Sequence, residues 1–360
     1  MRTLVLWAHR DSANLGVRVL AEGMSVFAEH TWGRDTQVDF QDFGAGVLDS
    51  GIGARRVALD LVPSATEIAH LLARYDLILD SGAGDSFGDT YGLRRMLVIA
   101  YIQRKAMKLG LPLVLGPQTI GPFRSSLARR VARATLIRAT AVLARDPVSG
   151  RCAERLGATP IASADVVFGL RPVAPTRRRD VMINVSGLLW NGTAHIAFAQ
   201  YRRALVELAT RLIERGRKIT LFAHVLDNPS ADNDVPAVHD LHDRLAAETE
   251  VLIPTSLSQV RSAIAGANVV IGARMHACLN ALSLGVPAIA WAYSRKFTPL
   301  LSSLGWRASI DLRAGTPVVN RSLKLVDAAD SLRAELPALR RRAGANLAAS
   351  HESVARLIQA

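Results

Sequence analysis

The chain has 360 residues, of which 49% are hydrophobic and 21% are charged, and this balance excludes an intrinsically disordered protein. Its length predicts two domains, each with a core of its own. The formal net charge of +13 suits nucleic acid, an anionic membrane or a phosphorylated substrate, but aromatic residues make up only 5% and are not interleaved with the basic runs, so nucleic acid is not expected.

Cysteine usage and hydrophobic runs favour a cytoplasmic protein. Cys152 and Cys278 are far apart and lack a metal-binding spacing, as expected of a reduced protein. Residues 3–8 are too short for a signal peptide, and the uncharged run 277–294 is broken by Gly285 and Pro287, so neither predicts a targeting or membrane-spanning segment. The positive charge makes peripheral contact with an anionic membrane a further expectation.

The first half of the chain alternates strand and helix patterns, which predicts a parallel sheet covered by helices. We expect this N-terminal α/β domain to span residues 1–172. Its predicted strands are residues 3–8, 37–40, 77–80, 111–116 and 141–144, and its predicted helices lie near residues 17–29, 65–74, 93–108, 125–139 and 149–156.

A linker at residues 173–180, with Pro175 and an arginine triplet, separates this domain from a second α/β domain at residues 181–324. Residues 325–360 are predicted to be helices that pack back on the core, with Pro337 starting a second helical segment. Two such Rossmann-like domains facing a cleft give an architecture of the glycosyltransferase-B type. The predicted elements of the second domain are strands at residues 181–185, 219–223, 267–271 and 286–291, and a helix at residues 197–215.

The most informative stretch is residues 272–296, where a buried strand turns into a helix. Arg274 and His276 lie at this junction, which is where ligands bind in open α/β sheets and where free backbone N–H groups favour anions. A permanent cation and a titratable imidazole at this position indicate an anionic substrate. His276 is the candidate acid or base, and the alternative is that it bonds a backbone carbonyl and positions Arg274.

The order of motifs in this stretch resembles the polysaccharide pyruvyl transferase family. The segment from Arg274 through Met275 and His276 to Ala277 is followed by a Gly-x-Pro turn at residues 285–287 and a Tyr-x-x-Lys element at residues 293–296. The resemblance implies phosphoenolpyruvate as donor, a sugar of a glycan, glycolipid or lipid-linked glycan as acceptor, a pyruvate ketal as product, and no cofactor.

The glycine-rich loop at residues 80–92 suits a sugar better than a phosphate, because its acidic residues would repel an anion. Gly82 and Gly84 allow close backbone approach, and Asp85 and Ser86 are placed to hold sugar hydroxyls or to cap the next helix. The loop also resembles the Gly-Asp-Ser-Phe segment of part of the family; the alternative is a tight turn with an N-cap.

Three further segments resemble family motifs. Asn14 begins an Asn-hydrophobic-Gly motif in which Val17 replaces the usual acidic residue, so any role for an acid there is in doubt. Gln118 lies in a Pro-Gln-Ser segment with Thr119 in the serine position. Arg145 begins an Arg-Asp-x-x-Ser segment and is expected to be a second cation for the donor.

In the second half, Ser186 and Gly187 form a turn after a strand like those that hold phosphate, and His224 closes another strand. The acidic residues after His224 raise the question of a metal, but their spacing fits neither zinc nor calcium, so we expect a solvated acidic loop and no metal.

The predicted site therefore has three parts. The catalytic residues are His276, Arg274 and Arg145; the donor-binding residues are Lys296, Tyr293, Ser186, Gly187 and His224; the acceptor-binding residues are Asn14, Gly82, Gly84, Asp85, Ser86 and Gln118. Two alternatives stay open: a sugar-nucleotide-dependent glycosyltransferase of the same architecture, and a non-catalytic basic module that binds glycans. The sequence does not decide whether His276 or His224 is the main acid or base, nor the oligomeric state.

Overall fold

The structure is a computed structural model that describes residues 1–62, 66–192, 198–246, 248–315 and 317–359. It divides into two compact units. The first unit comprises Met1–Ser12, Val17–Leu170 and Ala343–Ala360, and the second comprises Ala13–Gly16 and Arg171–Arg342. Two short segments belong to the unit that is not their neighbour in sequence. Residues 13–16 group with the second unit, and the last eighteen residues group with the first.

The first unit contains a six-stranded sheet in the order β2-β1-β3-β4-β5-β6, and every pair in it is parallel. Its strands are β1 (Arg2–Leu6), β2 (Gln37–Gln41), β3 (Leu77–Asp80), β4 (Leu113–Gln118), β5 (Ala141–Ala144) and β6 (Ile161–Ala162). Its helices are α1 (Leu15–Trp32), α2 (Ala54–Asp60), α3 (Glu67–Leu72), α4 (Leu93–Lys108), α5 (Ser126–Leu136) and α6 (Pro147–Arg155), followed by a 3₁₀ turn at Val166–Gly169.

Helices cover both faces of this sheet, so the first unit has two cores. One core joins side chains of α3, α4 and α5, such as Leu71, Ile99 and Ala132, to the sheet. The other joins Met24 and Phe27 of α1 to the opposite face. Every residue of β3 and of β5 is buried, as expected of a parallel sheet that is covered on both faces.

The second unit contains a second six-stranded parallel sheet, in the order β12-β11-β10-β7-β8-β9. Its strands are β7 (Arg179–Asn184), β8 (Ile219–Phe222), β9 (Glu250–Leu252), β10 (Ala267–Gly272), β11 (Ala288–Ala292) and β12 (Ser309–Asp311). Its helices are α7 (Gly187–Trp190), α8 (Phe198–Glu214), α9 (Val235–Arg244), α10 (Leu257–Ala265), α11 (Met275–Ser283), α12 (Phe297–Ser303) and α13 (Val318–Asp327), and α14 (Ala329–Gln359) follows.

The predicted long elements are present, and the differences fall at short ones. β6, β9 and β12 have two or three residues each and carry no alternating pattern. Pro337 does not start a second helix, because α14 continues through it for 31 residues. Strand β7 begins inside the predicted linker. Ala65 and Ala197, where two predicted helices begin, lie outside the described residues.

Within the described ranges, none of the helices is both long enough and apolar enough to cross a bilayer.

A fully buried carboxyl group organises the carboxyl ends of β1 and β3, where the strand order of the first sheet changes direction. Asp80 accepts hydrogen bonds from the indole N–H of Trp7 at 3.1 Å, from Nε2 of Gln103 at 2.9 Å and from the backbone N–H of Gly82 at 2.6 Å. Burial raises the pKa of Asp80 to about 6, although these donors oppose the shift.

This shift makes the first unit less stable as pH rises through the pKa of Asp80. Between the ordinary pKa of 3.8 and about 6, the folded state holds a proton on Asp80 that the unfolded chain has lost. We expect the free energy of unfolding of the wild type to fall by about 2–3 kcal/mol, relative to that of Asp80→Asn, between pH 4 and pH 7. Urea denaturation of both proteins across this range measures the difference, and parallel pH profiles would contradict it.

Candidate functional site

The carboxyl ends of β7 and β10 lie side by side at the point where the strand order of the second sheet changes direction. Ligands bind at such switch points in open α/β sheets. Asn184, the last residue of β7, accepts a hydrogen bond from the backbone N–H of Arg274 at 3.1 Å and donates to the carbonyl of Phe222 at the end of β8 at 3.3 Å. One buried amide therefore ties the ends of three adjacent strands together.

Asp234 is the centre of the hydrogen-bond network at this edge. Its carboxylate, which is fully buried, accepts from the backbone N–H groups of Gly187 at 2.7 Å and of His224 and Val225 at 2.9 Å each. It also accepts from Nε and Nη2 of Arg274 at 3.2 and 2.6 Å. The expectation of a solvated acidic loop is therefore wrong for Asp234, because this side chain points inward and joins the ends of β7, β8 and β10.

Arg274 is held by its own protein rather than presented for bidentate binding of a substrate. Nη1 donates to Asp232 at 2.7 Å, and Nη2 donates to the carbonyl of Asp232 at 2.6 Å in addition to Asp234. Burial opposes the charge of Arg274, but the carboxylates of Asp234 and Asp232 outweigh it and raise the pKa of the guanidinium. Four of the five N–H groups are thus engaged, and one N–H of Nη1 remains.

His224 and His276 lie close together on either side of Asn280. The amide of Asn280 accepts from Arg261 at 2.7 Å, and its Nδ2 donates to the backbone carbonyl of His276 at 2.7 Å and toward Nε2 of His224 at 3.4 Å. This orientation makes Nε2 of His224 the acceptor and leaves the proton on Nδ1. Burial lowers the pKa of His224 well below its usual value, and the electrostatic effects of the neighbouring His276 and Arg274 add to the shift, so His224 is neutral at physiological pH.

The loop after β1 packs against this pair of histidines. Leu15 donates its backbone N–H to the carbonyl of His224 at 3.0 Å, and Asn14 forms an antiparallel bridge with Val225. Asn14 also accepts from the N–H of Gly16 at 2.9 Å. A Cβ added to Gly16 would lie 2.7 Å from Nδ1 of His276, so this position admits no side chain unless the imidazole moves.

The turn at Ser186 and Gly187 does not offer its N–H groups to a phosphate. The N–H of Ser186 donates to the hydroxyl of Tyr201 at 3.0 Å, and that of Gly187 donates to Asp234. A Cβ on Gly187 would lie 1.8 Å from the carbonyl oxygen of Asn233, so the glycine is required by close packing. The predicted phosphate-binding turn is therefore part of the support around Asp234.

The Tyr-x-x-Lys element follows β11, at the same edge of the sheet. Tyr293 is buried and packs edge to face on Phe297 at 5.6 Å between ring centroids. Lys296 is half-buried and forms the N-cap position of α12. Both residues stay predicted donor-binding residues.

The first unit holds the other predicted residues. Gly82 and Gly84 have φ of 55° and 81°, a left-handed backbone that favours glycine, and Gly82 packs on the amide of Gln118. Gln118 is fully buried and donates to the carbonyl of Asp80 at 3.0 Å, and Ser86 is buried too. Asp85, which is half-buried, accepts from the hydroxyl of Tyr91 at 2.7 Å. Among the predicted acceptor residues of this loop, Asp85 thus has an accessible polar side chain. Gln118 is buried and supports the backbone of the loop instead.

Arg145 is buried and neutralised, contrary to the expectation of a cation available to the donor. Nη1 donates to the buried Asp165 at 2.6 Å, and Nε and Nη2 donate to the hydroxyl of Thr119 at 3.1 and 2.9 Å. Asp146 caps α6 by accepting from Val148 and Ser149. The Arg-Asp-x-x-Ser segment therefore links the ends of β4, β5 and the chain after β6.

Within the part of the chain that the structure describes, no group of three His, Cys, Asp or Glu side chains is arranged to hold a metal ion.

Asp234, Asn184 and Gly16 were not among the predicted site residues. Their contacts join positions 40 to 260 residues apart in sequence, from Asp234 to Arg274 and from Gly16 to His276. One signal was available, because the Asn-hydrophobic-Gly motif contains Gly16 beside the predicted Asn14.

Solved structures with similar folds cover almost the whole chain. They include HepE from Anabaena in complex with UDP (TM-score 0.58, 14% identity, 99% of each chain) and MurG from Acinetobacter baumannii (TM-score 0.52, 14% identity, 100% of this chain and 99% of that one). The UDP-GlcNAc 2-epimerase from Neisseria meningitidis, bound to UDP-GlcNAc, has a TM-score of 0.55 at 10% identity and covers 93% of this chain and 94% of its own. These likenesses confirm the predicted two-domain α/β fold of the glycosyltransferase-B type and show the fold alone.

Sequence comparison gives the family. The amylovoran biosynthesis protein AmsJ from Erwinia amylovora is 23% identical over 259 residues, which are 65% of this chain and 60% of AmsJ. The sequence model of the polysaccharide pyruvyl transferase family matches residues 30–295, nearly three quarters of the chain, and this range includes His276 and Arg274 with its partners Asp232 and Asp234. The chain therefore belongs to the polysaccharide pyruvyl transferase family.

Proposed function

We propose that the protein transfers a pyruvyl group from phosphoenolpyruvate to two hydroxyl groups of a sugar in a glycan or glycolipid, as a ketal, and releases phosphate. Membership of the family supports this reaction, and AmsJ is named for the biosynthesis of a polysaccharide. The free thiols of Cys152 and Cys278 suit a reducing compartment such as the cytoplasm.

The observation that carries the proposal is the pairing of a half-buried His276 with a buried, neutral His224 at the switch point of the second sheet. His276 lies in the first turn of α11, whose N-cap residue Arg274 makes no side-chain cap, and the first N–H groups of a helix favour an anion. A titratable group therefore lies beside a place that favours the carboxylate or phosphate of a small anionic donor.

Ketal formation requires one proton at the methylene carbon of the donor and removal of one proton from each attacking hydroxyl. One hydroxyl oxygen bonds to the central carbon, phosphate leaves with the second proton, and the other hydroxyl oxygen completes the ketal. His276 is the group we assign to proton transfer, because imidazole is the side chain most often used as a general acid or base and His276 is half-buried at this edge. His224 is held without charge, and we assign it to positioning His276 through Asn280.

Donor binding in this proposal uses two features of the carboxyl edge of the second sheet. Lys296 contributes a point charge at the neighbouring strand end, and the N–H groups that begin α11 contribute hydrogen bonds. Arg274 has one N–H left and acts mainly by fixing the start of α11. We assign acceptor binding to Asp85, whose carboxylate bonds sugar hydroxyls well.

The reaction is tested by phosphate release from phosphoenolpyruvate in the presence of a panel of sugar acceptors. We expect release that depends on an acceptor, with a product that gains the mass of a pyruvate ketal. Consumption of a nucleotide sugar, with no phosphate release from any acceptor, would instead support the glycosyltransferase alternative and contradict the proposal.

Substitution of the two histidines separates their roles. His276→Asn should lower kcat by about 10²–10⁴-fold, the usual contribution of a general acid or base. His224→Asn should lower kcat less, because a neutral positioning residue moves no proton. Comparison of kcat for the two variants checks this order, and a larger loss in His224→Asn would reverse the assignment.

Gly16→Ala should impair catalysis without contacting the substrate. The new methyl group would lie 2.7 Å from Nδ1 of His276 and would displace the imidazole. A misplacement of about 1 Å at a catalytic group can cost about a hundredfold in rate. The matched control is Gly344→Ala, at a helical glycine of α14 with no atom within 4 Å of the added Cβ, which should keep its kcat.

Thermal melting of the two glycine variants shows whether the fold is retained. Equal kcat values in Gly16→Ala and Gly344→Ala would show that contact with Gly16 does not position His276.

A further inference from the structure

The positive charge of the chain is concentrated in one segment. Between Asp89 and Asp146 lie 56 residues that contain eleven Lys and Arg and no Asp or Glu. The other 304 residues contain 33 basic and 31 acidic residues. The segment spans α4, β4, α5 and β5 of the first unit, so nearly all of the net charge belongs to one part of one unit.

The basic side chains of this segment are displayed on α4 and α5, which pack against each other and share one core on the same face of the sheet. None of the described ion pairs involves the exposed basic side chains of this segment, whereas the half-buried Lys105 and the buried Arg145 pair with Asp60 and Asp165. These exposed side chains are Arg94, Arg104 and Lys108 of α4, Arg129, Arg130 and Arg133 of α5, and Arg124 and Arg138 on either side of α5.

Some exposed apolar side chains lie beside α4. All large hydrophobic residues with high exposure among the described residues belong to the first unit. Leu59, Leu61 and Val62, at the end of α2, are 60%, 68% and 51% exposed. α2 packs on α4, and Leu61 lines a groove of about 400 Å³ together with Arg104, Lys108 and Leu109.

The corner between α2 and α4 is fixed by a buried charge. Asp60 accepts from the hydroxyl of Tyr101 at 2.6 Å and pairs with Lys105. Because both partners lie on α4, the exposed leucines beside Asp60 are held next to the basic side chains of that helix. Their exposure is thus a feature of an ordered corner.

We propose that this surface binds an anionic bilayer. We call it the basic face and define it by Leu59, Leu61 and Val62 with Arg104, Lys108 and Arg130. A bilayer interface accepts aliphatic side chains at the acyl boundary while anionic headgroups attract Lys and Arg. A soluble polyanion would use the charges and leave the leucines in water, and a neutral bilayer would use the leucines and leave the charges without partners.

The basic face is tested with the whole protein and no substrate, so the result does not depend on the proposed reaction. Sucrose-loaded vesicles of phosphatidylcholine, with or without 30% phosphatidylglycerol, are sedimented at about 0.1 M salt, where surface charges still interact over about 10 Å. We expect the wild type to sediment with the anionic vesicles and to stay in solution with the neutral ones.

Two variants of the basic face separate charge from apolar contact. Arg104→Gln/Lys108→Gln should lower the partition coefficient about 25-fold, at about fivefold for each basic side chain near the surface. Leu59→Ser/Leu61→Ser should lower it about tenfold or more. The matched controls are Arg321→Gln/Lys324→Gln, two exposed cations on α13 of the second unit, and Leu357→Ser on α14, and both should bind as the wild type does.

Equal binding to neutral vesicles, or no binding to anionic ones, would overturn the proposal. Loss of binding in the charge variant but not in the leucine variant would also overturn it, because that pattern identifies a surface for polyanions. Circular dichroism of each variant confirms that the fold is retained.

Discussion

The buried pair of Asp234 and Arg274 is the interaction on which the second unit's site depends. Asp234 receives the N–H groups that end β7 and β8, and Arg274 begins the helix after β10. Removal of one partner of a buried ion pair usually costs about 3–5 kcal/mol, because the other charge is left without compensation. That loss is comparable with a large part of the stability of a whole domain, about 5–15 kcal/mol. The arginine of the family signature is therefore first a structural residue of the edge where His276 lies.

The two histidines differ in burial because of their positions at this edge rather than because of the residues next to them in sequence. His224 follows β8 in a fully buried environment and stays neutral, whereas His276 lies in the first turn of a helix and is half-buried. Gly16 adds a steric constraint from a loop that follows the first strand of the chain. The proposed division between a positioning imidazole and a proton-transferring one rests on burial, one amide and one missing Cβ.

Strand and helix patterns were sufficient for the long elements and for the fold type, since β3, β5 and α4 have the predicted bounds. Single-residue roles were less accessible. Arg145, Arg274, Gln118 and the Ser186–Gly187 turn were placed correctly at strand ends, but their side chains or N–H groups bond within the protein. A local pattern indicates which residues lie at the edge of a sheet. It does not indicate their partners, because Asp165 and Asp234, the acids that bond Arg145 and Arg274, come from other segments of the chain. The positive charge of the basic face can be read from the sequence. Its aliphatic part can be recognised only from the packing of α2 on α4.

Isothermal titration of phosphoenolpyruvate into the wild type is the most direct test, because it requires no knowledge of the acceptor. The account predicts saturable binding of phosphoenolpyruvate that is weakened in Lys296→Gln, where one point charge is lost, and unchanged in the control Lys324→Gln on α13. Saturable binding of UDP-glucose with no binding of phosphoenolpyruvate would contradict the assignment of this edge to an enolpyruvyl donor.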